Sequence, residues 1–115
     1  MNKISDTDSN QTDPFKNLIR SYPSIYDEAF TFCIPQNWLA VIQRLTVQIN
    51  TLLAHHPAYS IEVSDVKEKW GCLRLYYTLD VPERDYQELD QKIEALVERA
   101  DLDIQSTVET QGLPL

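Results

Sequence analysis

Apolar side chains recur at three- and four-residue intervals in the middle of the chain, at Trp38, Val41, Ile42, Leu45, Ile49, Leu52 and Leu53. That period lines one stripe of an α-helix, predicted from Pro35 to about His55-His56, because Pro57 disfavours helical geometry in the residue before it. The period then changes. Tyr59, Ile61 and Val63 alternate with other residues, as do Leu73, Leu75, Tyr77 and Leu79, which predicts two strands with one face toward a core. Helical spacing returns after Asp80 and Pro82, where Tyr86, Leu89, Ile93, Leu96, Val97 and Ala100 predict a last helix that runs to about Asp101 and buries these six residues. Upstream, Asp13-Pro14 has the form of a helix start, followed by Phe15, Leu18 and Ile19, so a short helix is expected to about Ser21. Tyr22-Pro23 ends it, and YPSIYDEAFTF is expected as an irregular segment that lies over the core to hide Tyr26, Phe30 and Phe32. Residues 1–12 show no apolar period and are expected to form a disordered tail. The stretch DIQSTVETQG alternates weakly and is read as either a short third strand or an ordered tail.

Trp70-Gly71 lies between the two strands. A two-residue turn there, with Gly71 at a positive backbone angle, sets Lys67 opposite Arg74, Val66 opposite Leu75 and Glu68 opposite Leu73. Val66, Leu73, Leu75 and Tyr77 then share the core face, with Glu68 near the turn at its wet rim. Ile61 and Val63 reach that face only if the first strand slips by one residue, which predicts a bulge near Ser64-Asp65. Lys67, Arg74 and Tyr76 occupy the other face. Trp70 either folds back over the core or stands out as a contact anchor. The whole is an α+β domain over residues 13–115, with three helices on one face of a small antiparallel β-hairpin sheet.

Composition narrows the function. With 115 residues, 43 % of them hydrophobic, the chain can build one core. Ten Lys plus Arg against 18 Asp plus Glu give a net charge of −8, which disfavours direct nucleic-acid or anionic-lipid binding and favours a cationic protein partner. Residues 80–115 carry 10 acids and 3 bases, so that third alone contributes −7. The polar N-terminus and the lack of a long apolar run point to a cytoplasmic protein. Cys33 and Cys72 have no metal-type spacing and are expected as reduced thiols.

The candidates for chemistry are few. Adjacent His55 and His56 would point about 100° apart on a helix, which suits a solvated helix end better than a metal site. Cys72 lies near Lys69 and Arg74 in sequence but has no assignable base, so an inert thiol beside the turn is expected. Two glycines, Gly71 and Gly112, cannot build a phosphate-cradling loop. No catalytic residue, metal or cofactor is assigned, and the chain is not expected to be an enzyme.

The run Val66-Lys67-Glu68-Lys69-Trp70-Gly71-Cys72-Leu73-Arg74-Leu75-Tyr76 resembles the VKEKFGGLRFY hairpin of a small family of bacteria and their phages. Tyr22-Pro23-Ser24-Ile25-Tyr26 is similar to that family's YPxIF segment, and Asn37-Trp38 with the helix after it to its DGW segment. Many members end in TCExCG, which looks like half of a zinc knuckle. Here Val108 and Gln111 stand at the two cysteine positions, and neither offers a thiolate.

A non-enzymatic binding protein is therefore expected: a small acidic inhibitor, for example an immunity protein that neutralises a cationic toxin such as a nuclease. The alternative is a phage or mobile-element accessory protein of unassigned role, for example an acidic mimic of nucleic acid. On the last helix Glu83, Asp90, Glu94, Glu98 and Asp101 crowd one arc beside the apolar stripe, and this ridge is the first candidate contact surface. Trp70, Arg74 and Tyr76 on the hairpin are the second.

Overall fold

A computed structural model describes residues 13–112, with side chains to residue 106. The N-terminal dozen residues and the side chains of Val108 and Gln111 lie outside the described part. Helix α1 spans Pro14–Ser21. Its start is held by the Asp13 carboxylate, which accepts the Lys16 backbone N–H at 3.2 Å, with proline in the first turn where no donor is needed. Pro35 itself is extended, so the next helix begins as a single 3₁₀ turn, Gln36–Trp38, and becomes regular as α2 over Leu39–Ala54. Strands β1, Ser60–Lys69, and β2, Cys72–Asp80, form an antiparallel hairpin. Helix α3 spans Glu83–Gly112.

The hairpin register follows from the turn and the alternation. Lys67 pairs with Arg74, Val66 with Leu75 and Glu68 with Leu73, and the register shifts between Val63 and Asp65 as a β-bulge. Because of that extra residue, Ile61 and Val63 join Val66, Leu73, Leu75 and Leu79 in the core, all of them buried. From the helices come Leu18, Ile19, Trp38, Ile42, Leu45, Ile49, Leu89, Ile93, Ala100 and Ile104. The opposite face of the hairpin holds no buried residue. The fold is thus α+β, with helices against one side of a two-stranded sheet.

The irregular segment does more than hide aromatics. Tyr26 is buried, with Phe30 and Phe32 half-buried against it at ring separations near 5 Å. Its backbone also closes the outer edge of β1, where Ile25 C=O accepts from Val63 N–H at 3.0 Å and Cys33 bonds to both Val66 and Glu68. An open strand edge invites pairing with another chain, and this segment removes that liability. Tyr26 reaches inward to Thr46, the buried polar residue of α2, at 2.7 Å; Thr46 also donates to Ile42 C=O at 2.8 Å. Both hydroxyls are satisfied inside the core.

Three expectations are corrected. The last helix does not stop near Asp101, and the C-terminal stretch forms neither a strand nor a separate tail. Ile104 continues the apolar stripe and is 1 % exposed, so its burial favours carrying the helix on, and Gly112 is the first glycine or proline after Pro82. The third β contact comes from Cys33, which runs parallel to Lys67. Tyr86 is 45 % exposed, because the stripe that meets the core begins one turn later at Leu89.

Candidate functional site

The turn between β1 and β2 has both central residues at positive φ, 59° at Trp70 and 79° at Gly71. Such turns match the right-handed twist of the strands and favour Asn, Asp or Gly at the first position. A tryptophan there costs about 1–2 kcal/mol of backbone strain. Its ring does not recover that cost by packing, since Trp70 is 85 % exposed. The structure therefore overturns one of the two placements open to Trp70, the one folded back over the core.

Three hydrogen bonds hold this turn in place. Glu68 is exposed at the rim, as expected, and its carboxylate also accepts from Gly71 N–H at 2.7 Å. From α3, Gln105 Nε2 donates to Gly71 C=O at 2.7 Å, and Asp101 Oδ1 accepts from Leu73 N–H at 2.9 Å. Gln105 also donates to Asp101 at 3.3 Å, which joins the two helical side chains into one clamp.

The same helix grips β2 further along. Tyr77 donates its hydroxyl proton to the Asp90 carboxylate at 2.5 Å, with Glu94 at 2.9 Å as a second acceptor. One hydroxyl has one proton, so it serves one carboxylate at a time. Burial first, and then the two carboxylates, push the Tyr77 hydroxyl far above its ordinary range. The phenol is thus a proton holder at neutral pH and not a base. The helix runs antiparallel to β2. Fifteen helical residues from Asp90 to Gln105 cover about 22 Å and six strand residues from Tyr77 to Gly71 about 20 Å, so the contacts keep in step.

This geometry divides the acidic ridge. Asp90 and Asp101 are half-buried and Glu94 is exposed, yet all three accept hydrogen bonds from the hairpin. Glu83 and Glu98 are exposed, with no ion pair among the described residues. Neutralising Asp90 and Glu94 would therefore disturb the docking of α3 as well as the surface charge, because both accept from Tyr77. Gln105, Tyr77 and Glu68 were missed in sequence. The spacing 90, 94, 101 and 105 puts four hydrogen-bonding side chains on one arc of α3, and that was the available signal for a helix face that meets a strand edge.

On the uncovered face of the hairpin, Arg74 is exposed and Tyr76 is 49 % exposed. Lys67 stands 5.6 Å from the Tyr76 ring centre and 3.5 Å from the Asp65 carboxylate. The remaining candidates for chemistry stay apart from the hairpin tip or unengaged. His55 Nδ1 lies 2.9 Å from Thr51 C=O, and His56 stacks on Tyr59 at 4.3 Å. Tyr59 donates to Asp85 at 2.6 Å, and that bond raises the Tyr59 pKa. Cys33 and Cys72 are free thiols. Among the described residues no group of three or more His, Cys, Asp and Glu could hold a metal ion, and no helix is long and apolar enough to cross a membrane. Comparisons with protein-family models, curated proteins and solved structures return no match, so the site is defined by its geometry alone.

Proposed function

We propose that this chain is a non-enzymatic protein-binding module of the inhibitor type, which presents a clamped β-hairpin to its partner with Trp70 as the anchor. One observation carries the reading: a large aromatic side chain is held at 85 % exposure, in a left-handed backbone conformation, on a turn fixed by three hydrogen bonds. Folding alone does not account for this, because strain and exposed apolar surface both oppose it. Binding does, since Trp is prominent among interface hot spots and a pre-ordered turn loses little entropy on association.

The partner in this proposal is a protein of net positive charge, attracted at long range by the net charge of −8, and the setting is the cytoplasm. Neutralisation of a cationic toxin, such as a nuclease, is the role that fits a small acidic inhibitor. An accessory protein of a phage or mobile element is the alternative, motivated by the hairpin resemblance. An acidic nucleic-acid mimic is the less favoured form of that alternative, because Asp90 and Asp101 are turned to internal use.

The test is affinity capture from the cells that make the protein, run in parallel with the parent chain and with Trp70→Asn, which suits the turn. A basic protein retained by the parent and lost by the variant is the expected result. Retention of the same proteins by both chains would show that Trp70 is not the anchor.

A further inference from the structure

Around Trp70 the charge reverses sign relative to the chain as a whole. Lys67, Lys69 and Arg74 lie on the uncovered face of the hairpin, with Tyr76 between strand and solvent. Asp65 neutralises Lys67 at 3.5 Å, whereas Lys69 and Arg74 form no ion pair among the described residues. Two uncommitted cations thus flank an exposed tryptophan on a rigid turn. We infer that the hairpin docks into an apolar pocket rimmed by carboxylates on its protein partner. This rests on the reading of Trp70 as an anchor and adds the chemistry of what receives it. Within a partner that is cationic overall, such a place is a carboxylate-lined cleft: the net charge of −8 brings the two proteins together, and Lys69 and Arg74 select the cleft.

Single-stranded nucleic acid is the rival occupant, since an aromatic ring between basic groups also suits stacked bases. The charge distribution disfavours it. Two free cations neutralise about two phosphates, which supports only weak, salt-sensitive binding. A strand that continued past the hairpin on the α3 side would meet Glu94 and Glu98, both exposed. A compact cluster of carboxylates at the tip meets Lys69 and Arg74, while the nearby Glu68 carboxylate is tied to the Gly71 amide and Asp65 to Lys67.

The experiment selects a random dodecapeptide display library on the full chain at about 0.15 M salt. Enriched peptides are expected to carry an apolar residue flanked by two or more Asp or Glu. Their affinity should fall by about tenfold or more in Lys69→Glu with Arg74→Glu, as removal and reversal of contact charges require. A fluorescein-labelled single-stranded thymidine oligonucleotide is titrated alongside. Enriched peptides without acidic flanks, no enrichment at all, or unchanged affinity in the charge-reversed chain would overturn the inference. Oligonucleotide binding tighter than that of the peptides would overturn it in favour of nucleic acid. Peptides that bind Trp70→Asn as well as the parent would instead remove the anchor reading, so the two failures are separable.

Discussion

Two buried or half-buried tyrosines show how single residues tie the fold to proton chemistry. Burial pushes the Tyr26 hydroxyl up to about 12, against the partial opposition of its bond to Thr46. The folded chain therefore holds this proton more tightly than the unfolded chain does. Its contribution is complete below about pH 10 and is lost as pH rises toward 12, a change on the order of 2–3 kcal/mol. Urea unfolding should show stability that declines from pH 10 upward, with a shallower decline in Tyr26→Phe; parallel curves for the two chains would contradict this assignment. Tyr77→Phe removes the donor between Asp90 and Glu94 and leaves a half-buried carboxylate without its partner. The expected loss is about 1–3 kcal/mol, and a variant that unfolds with the parent would mean the bond contributes nothing to docking α3.

At the level of elements, the hairpin is shaped against its own stability at one position. Trp70→Asn places a residue suited to the left-handed region on the turn, so the variant should be more stable by about 1 kcal/mol, while the proposed anchor role would have it bind its partner more weakly. A drop in melting temperature would show that the indole packs on the fold after all. Gly71 is the complementary case. A Cβ at this position would meet nothing within 4 Å, so Gly71→Ala isolates the backbone cost of φ 79°, about 1–2 kcal/mol. The clamp explains why the turn can carry Trp70: Asp101 and Gln105 are fixed by the same helix that buries Ile93 and Ile104, and core packing thereby holds the tip.

For the whole molecule, the acidic charge divides between internal bonds and free surface. The row of acids on α3 is partly an internal hydrogen-bonding strip along β2, and its free members are Glu83 and Glu98. Exposed carboxylates of this kind act on encounter more than on the bound state. Glu83→Gln with Glu98→Gln should lower the melting temperature by no more than about 4 °C, since surface changes alter stability little and only Glu83, in the first turn of α3, gives up a helix-dipole interaction. The same pair should slow association with a cationic partner at low salt, and the difference should vanish as salt screens it. Stopped-flow rates that are equal for parent and variant at every salt concentration would confine recognition to the hairpin.

What the sequence determined by itself was everything set by period and by local backbone chemistry. The alternation of Leu73, Leu75 and Leu79, the glycine at the turn and the parity conflict at Ser64-Asp65 were enough for the register and the bulge, because a one-residue slip would turn a whole strand inside out. The extension of α3 was legible as well, in Ile104 at helical spacing from Ile93, Val97 and Ala100, although the alternation of the residues after it suggested otherwise. Only the tertiary structure decided where polar groups find their partners. Asp90 and Asp101 read as surface charges along one helix, and the strand groups that engage them, Tyr77 and the Leu73 amide, lie 13 and 28 residues away in the chain. Trp70 was equally open, since an aromatic beside a turn can fold either way until the rest of the core is placed. Apolar periodicity identifies the side that avoids water, but a hydrogen bond needs two groups within about 3 Å, and across such separations only the packed fold brings them there.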